Sequence, residues 1–235
     1  MHKNSAMLDK SHKHVSCESC KARGNSLFHS FCDSEVDQLD EDKTCSFYKK
    51  NQPVFIEGSY SRGVYCINNG KVKVFSIGEN GKEQIISVAK EGDVVGFKSM
   101  FSEDPYRLSA TTLEESNICF IKKEDFLSYL NQKPELLQSV LKELSKELGE
   151  RAQFIKNMAQ KSVRERLATI LLILDDIYDD QPINLSREDL ANYVGTATET
   201  IIRLLKDFKQ ENLIDIQVRK IEIINRKDLL KEVGS

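Results

Sequence analysis

Five residues between Thr198 and Lys206 carry side chains suited to reading hydrogen-bonding edges. On a helix, Thr198, Glu199, Ile202, Arg203 and Lys206 fall on one stripe, because positions three and four apart share a face. A guanidinium can bond both acceptors of a guanine edge, a carboxylate can accept from the cytosine amino group, and an apolar side chain can meet the thymine methyl. Plainer uses compete. Thr196 and Glu199 stand at the capping-box spacing, a role that can coexist with base contact. Arg203 lies four residues after Glu199, a solvent pair worth only about 0.2 to 0.5 kcal/mol. An exposed Ile202 has no such local explanation.

The cysteines form a second set. Cys17 and Cys20 make a C-x-x-C, followed by His29 and Cys32, with Cys45, Cys66 and Cys119 far along the chain. Thiolate and imidazole are zinc ligands, so Cys17, Cys20, His29 and Cys32, or His12 and His14 with the C-x-x-C, make candidate sets. The plainer reading treats Cys66 and Cys119 as small buried hydrophobes and Cys17 and Cys20 as ordinary thiols. A redox enzyme built on C-x-x-C would need a thioredoxin-like βαβ setting. None surrounds this one, and no catalytic residues are assigned.

The stripe needs a scaffold, and NLSREDLANYVGTATETIIRLLKDF, from Asn184 to Phe208, supplies one. Ser186 can cap a short helix whose Leu190 and Val194 face inward, and Gly195 provides the turn. In the second helix Ile201, Leu204, Leu205 and Phe208 fill one face. Two short helices around a glycine turn make a helix-turn-helix. LIDIQVRKIEII then reads as a two-stranded wing, although its turn has no glycine. Arg219 and Lys220 there could touch phosphate. Ser186, Arg187 and Thr196 complete the candidate DNA contacts.

Upstream, from about Cys45 to Ile121, short β-rich segments punctuated by glycine suit an antiparallel barrel or roll. Glu79-Asn80-Gly81 marks a hairpin turn, and no helical period fits this region. After Pro134 the pattern changes. Leu137, Leu141, Leu144, Leu148, Ile155 and Met158 recur at steps of four and three, broken at Arg151. That is a heptad seam, expected to pair two copies as a coiled coil. Asn157 to Ser162 should link it to another helix, with Leu167, Ile170, Leu171 and Leu174 on one face, ended by DDIYDDQP.

The expected class is α+β, in four parts. These are a Cys/His segment (1–33), a β-roll sensor (34–131), a dimerisation helix (132–160) and a winged helix-turn-helix (161–235). With 235 residues, 40% hydrophobic, and a net charge of −3, the chain has no global pull toward nucleic acid. Any DNA binding must come from local placement. No apolar run has membrane-spanning length, and the polar first sixteen residues hold no secretory h-region. A cytosolic home is expected, where six cysteines favour thiols over disulfides.

Over nearly its whole length the chain resembles the Crp/Fnr family of transcription regulators. The segments GKVKVFSIGENGKEQI and LSREDLANYVGTATETIIRLLKDF carry the resemblance. It implies a homodimer in which each helix-turn-helix reads half a palindrome, with RNA polymerase as a further partner. Glu199 and Arg203 would occupy the base-reading positions, while Thr198 and Ile202 fall where branches of the family vary. Cyclic-nucleotide-binding members carry Gly-Glu and Arg-Ser pairs. Here Gly96-Phe97 and Arg107-Leu108-Ser109-Ala110 stand in those places. Gly96, Phe97, Arg107 and Ser109 are thus candidate effector-pocket residues, with cyclic AMP not expected. Oxygen-sensing members hold an iron–sulfur cluster through an N-terminal cysteine group plus one roll cysteine. Cys17, Cys20 and Cys119 match, but the third place falls on Ser26, with Cys32 six residues away as a substitute. The expected input is therefore a redox or small-molecule signal. The alternatives are a cyclic-nucleotide-type regulator and a constitutive interaction module.

Overall fold

The computed structural model describes residues 15–179 and 181–234; His12 and His14, and with them that zinc set, lie outside the described residues. The chain divides into two compact units. One comprises the residues up to Val72 together with Ala89–Val140, and the other Lys73–Val88 together with the residues from Leu141 onward.

In the first unit a 3₁₀ turn, Lys21–Asn25, leads to α1, Asp33–Asp42. Then come β1 (Lys43–Tyr48), β2 (Pro53–Phe55) and β3 (Gly63–Asn69); β4 (Val72–Ile77) and β5 (Glu83–Ala89), which follow in the chain, form a hairpin that belongs to the second unit. β6 (Val94–Val95), α2 (Phe97–Ser102), β7 (Ser109–Thr112), β8 (Ser116–Lys122) and α3 (Lys123–Gln132) follow. One sheet has the order β1-β8-β3-β6, and Val64, Ile67, Ile118 and Ile121 are buried on its strands. A side chain at Gly63 would drive its Cβ to 2.0 Å from the Ile121 carbonyl oxygen, so only glycine lets β3 lie this close to β8. β2 pairs with β7, with a register shift between Pro53 and Phe55; a sheet edge or an irregular position of this kind tolerates a residue without an amide proton. The helix α2 interrupts a region read as wholly β. At six residues it is too short to show a period.

An aromatic cluster packs the N-terminal segment onto α3. Phe28 meets Phe31 and Phe126 edge-on at 5.2 and 6.1 Å, and Phe31 meets Tyr129 at 5.5 Å. Lys133 lies over the Phe31 ring and pairs with Glu35.

The thiol expectation fails for two cysteines: Cys45 and Cys119 form a disulfide between β1 and β8. They are directly opposite in the antiparallel ladder, with Cα atoms 4.0 Å apart. Strand register across 74 residues is not visible in a sequence.

α4, Pro134–Gln160, runs on to α5, Val163–Tyr178. The link is narrower than the expected Asn157 to Ser162, because Ser162 caps α5 in a box with Glu165. Along α4, Leu136 and Val140 are buried. The seam residues Leu137, Leu141, Leu148 and Ile155 are exposed, the last two by 73% and 68%. The second unit continues with α6 (Arg187–Val194), α7 (Thr198–Gln210), β9 (Ile214–Gln217), β10 (Lys220–Ile223) and α8 (Arg226–Lys231). Its core is centred on Leu167, Leu171 and Leu174, all fully buried. Arg164 stacks over Phe208 at 4.6 Å and reaches Glu211 and Glu232 at 2.5 and 2.6 Å, tying α5 to α7 and the C-terminal end. Among the described residues no helix is long and apolar enough to cross a membrane.

Leu171→Ala should lower stability by about 2 to 5 kcal/mol, read as a lower urea midpoint with an unchanged m-value.

Candidate functional site

The helix pair α6–α7 is built from its caps inward. The Ser186 hydroxyl accepts from the Asp189 amide at 2.9 Å and donates to its carboxylate at 2.6 Å, starting α6. Gly195, at φ +75°, ends it, its amide donating to the Ala191 carbonyl; this left-handed position favours glycine. Arg166 donates from Nε to the Val194 carbonyl at 2.9 Å. The helix-end oxygens thus have a cationic partner.

The expected Thr196–Glu199 capping box is absent. The Thr196 amide turns back to the Ala191 carbonyl at 3.0 Å, and Ala197, with no side-chain bond to offer, holds the cap position of α7. Glu199 is thereby left at the first turn with its side chain exposed. It makes no ion pair with Arg203 among the described residues, so neither plain use engages it.

The β4–β5 hairpin holds this pair through its backbone. Gln84 donates to the Asn192 carbonyl and Lys82 to the Thr196 carbonyl, both at 2.8 Å. Lys73 bridges Glu83 and Asp189 at 2.5 and 2.8 Å; those two carboxylates outweigh its burial and raise its pKa. Lys73, Lys82, Gln84 and Arg166 were not singled out from sequence, since their partners lie far along the chain and three of them bond main-chain oxygens.

On α7, Ile201, Leu204, Leu205 and Phe208 are buried, whereas Glu199, Ile202, Arg203 and Lys206 are exposed and Thr198 half-buried. Ile202 is 54% exposed. Beside them, Arg219 and Lys220 are exposed on the wing. Its two-residue turn places Val218 at φ +58°, fully exposed. A β-branched residue there is strained by about 1 to 2 kcal/mol, in a turn type that favours Asn or Gly. Ser186 and Arg187 are placed differently. Ser186 is committed to its cap, and Arg187 is half-buried, with Nη1 out of reach of any partner and burial lowering its pKa.

The four candidate effector residues do not converge. Phe97 is buried, Ser109 is buried and accepts from the Glu57 amide at 3.0 Å, and Gly96 turns at φ +93°. The Arg107 side chain is 85% exposed and pairs with Asp104. Aromatic rings pack beside Gly96: Phe55 stacks on Tyr106 at 4.2 Å, and a Cβ on Gly96 would meet the Tyr106 hydroxyl at 3.1 Å.

The cysteines do converge. Cys17, Cys20, Cys66 and Cys119 line one cavity with largely apolar walls, where Phe28, Leu39 and Ile121 stand among them. The Asn68 amide donates to the Cys20 sulfur at 3.1 Å. Burial pushes the Cys17 thiol up to about 11 and that of Cys66 higher still. Ser26 also borders the cavity, but its hydroxyl donates to the Arg23 carbonyl at 2.8 Å and accepts from the Phe28 amide at 3.1 Å, which makes it a turn residue. Cys32 and His29 are exposed elsewhere, the first with its sulfur on the Ser34 hydroxyl, the second with its ring on the Ser26 carbonyl. Among the described residues no three His, Cys, Asp or Glu side chains are arranged to hold a metal ion. Cysteine is the ligand type of a thiolate-bound metal centre, and four of them border this one cavity, one tied up in the disulfide.

Two family models match the chain, the cyclic nucleotide-binding domain over residues 46–133 and the Crp-like helix-turn-helix domain over residues 165–232. The fumarate and nitrate reduction regulatory protein of Vibrio cholerae is 29% identical over 228 residues, covering 94% of this chain and 91% of the relative. The anaerobic regulatory protein of Haemophilus influenzae is 28% identical over 229 residues, covering 94% and 89%. In fold, FixK2 from Bradyrhizobium japonicum matches with a TM-score of 0.74 at 22% identity, over 82% of this chain and 98% of that one. With both domains matched in order and relatives that are regulators over nearly the full length, the chain belongs to the Crp/Fnr family of DNA-binding transcription regulators.

Proposed function

We propose that this regulator binds a palindromic operator as a homodimer, and that a redox signal entering through the β-roll governs the binding. The observation that carries the first part is the exposed stripe of α7 opposite its buried face. Glu199 and Arg203 read base edges there, Ile202 meets a thymine methyl, and Thr198 and Lys206 flank them. Thr196, Arg219 and Lys220 hold the register on phosphate.

Members of this family act as dimers, and the exposed leucine seam of α4 supports that helix as the pairing surface here. Leu137, Leu141, Leu144, Leu148, Ile155 and Met158 repeat at coiled-coil spacing. A dimer must hold its recognition helices about 34 to 36 Å apart to enter successive major grooves. The signal biases an equilibrium between dimer arrangements, only one of which meets that spacing. A protein that reads chromosomal promoters works in the cytoplasm, with RNA polymerase as its further partner.

The input reading is supported by the cysteine-lined cavity and by relatives named as anaerobic and as fumarate and nitrate regulators. A thiolate-bound metal centre, when present, supplies a bond between segments that oxidants can break. Cys17 and Cys20 would hold it from the N-terminal segment and Cys119 from β8. The residues in the places of a cyclic-nucleotide pocket argue for this input over that one: Phe97 fills the carboxylate's place, and Arg107 points to solvent. A buried phosphate without its arginine would be left unpaired at high cost.

Arg203→Ala should reduce discrimination between operator and scrambled duplex by about 1 to 3 kcal/mol, measured by fluorescence anisotropy, with the dimer unchanged in light scattering. Undiminished discrimination would sink the base-reading assignment. Lys220→Ala should instead weaken all duplexes alike and flatten the slope of log K against log salt by about one. Leu148→Lys should yield monomers in sedimentation equilibrium with helix content preserved, and a variant that stays dimeric would move the interface elsewhere. Equal operator affinity before and after peroxide treatment would remove the redox input while leaving the DNA reading intact.

A further inference from the structure

Arg151 interrupts the apolar seam of α4, and its guanidinium is bonded to the β4–β5 hairpin. Nη1 donates to the Ile86 carbonyl at 3.0 Å, while Nη2 pairs with Glu147 one turn back at 2.6 Å. The same hairpin holds the helix-turn-helix at three points. Lys73 on β4 joins Glu83 to Asp189 of α6, its side chain only 10% exposed and that of Asp189 16%. Gln84 donates to the Asn192 carbonyl, and Lys82 to the Thr196 carbonyl just ahead of α7. Met158, near the C-terminal end of α4, packs so close to the Gly195 turn that a Cβ there would clash with its Cε and lie 3.3 Å from Gln84 Oε1. All of these residues lie in the second unit. Yet Lys73–Val88 falls within the stretch matched by the cyclic nucleotide-binding model, 46–133. The hairpin thus comes from the β-roll portion of the sequence but packs with the reader.

We propose that the β4–β5 hairpin is a brace that fixes the helix-turn-helix against the dimer helix α4, with Lys73 as its central positioning residue. This rests on the reading of a palindrome through α7 of each protomer. Between α4 and α5 only Lys161 and Ser162 stand outside the helices, and a few such residues suffice for a hinge. A dimer that must present two recognition helices about 34 to 36 Å apart is poorly served by a loose one, because the second half-site then binds at a lower effective concentration. The brace spans that link, from Arg151 on one side to Asp189, Asn192 and Thr196 on the other. It orients the reader without masking it. Glu199, Ile202, Arg203 and Lys206 stay exposed with every bracing contact made. Lys73 matters most because its removal strips two carboxylates of their shared cation in a poorly solvated place.

The test uses the full chain and two duplex probes, a palindrome selected by wild type from random sequence and the same duplex with one half scrambled. Lys73→Met should weaken palindrome binding by at least about tenfold and half-site binding by less than about twofold, and Lys73→Arg should restore most of the loss. The double variant Lys82→Ala/Gln84→Ala removes only bonds to main-chain oxygens. It should behave as Lys73→Met does, and it carries the test if that variant fails to melt cooperatively. Arg151→Met, which puts an apolar residue back in the seam, should remain dimeric in light scattering and show the same selective loss. Without DNA, NMR relaxation of backbone amides should give α4 and the helix-turn-helix of wild type one shared rotational correlation time, and a shorter one for the reader of the braceless variants. Equal losses on both probes, tighter palindrome binding by the variants, or shared tumbling that survives in them would each overturn the brace. If wild type binds both probes equally while the shared tumbling is present and is lost in the variants, the palindrome reading falls and the brace stands.

Discussion

Burial of one face of α7 governs what the opposite face can do. Ile201, Leu204, Leu205 and Phe208 are locked into the C-terminal core, which fixes the helix's rotation about its own axis. With that rotation set, Glu199, Ile202, Arg203 and Lys206 have only one direction in which to project. The apolar contacts carry the energy, and the polar stripe inherits its aim from them. Arg164 over Phe208 and Arg166 on the end of α6 serve the same rotation, one by packing and the other by satisfying carbonyl oxygens that would otherwise lack partners.

Much of this was legible in the sequence because it is local. The Ser186 cap, the Gly195 turn, the alternation of the wing and the buried faces of α5 and α7 each depend on residues within a turn or two of one another. What escaped has a common cause. The Thr196–Glu199 spacing fits a capping box, yet the chain leaving Gly195 turns the Thr196 amide back to α6 and hands the cap to Ala197. The helix α2 was too short to show periodicity, and the bonds from Lys82 and Gln84 go to main-chain atoms that no side-chain pattern reveals. The largest omission, the association of Cys66 and Cys45 with Cys119, depends on strand register. Register is decided by long-range pairing.

The β-roll's two candidate inputs fare differently for steric reasons. Around Gly96 the interior is taken up by Phe55, Tyr65 and Tyr106, and Phe97 is itself part of the core. Space that a polar ligand would need is filled with rings. The cysteine cavity lies between the N-terminal segment and the sheet, with the Phe28–Phe31–Phe126 cluster nearby to hold that segment in place.

The grip of Gln84 and Lys82 on the helix-turn-helix has an evolutionary consequence. Both side chains bond carbonyl oxygens, those of Asn192 and Thr196, which every amino acid possesses. Residues on the exposed stripe can therefore be exchanged during divergence without touching the bonds that orient the pair. On the base-reading proposed for that stripe, promoter preference would drift while the mounting stays constant, and one ancestral scaffold would be retargeted to new genes by substitutions at a few solvent-facing positions.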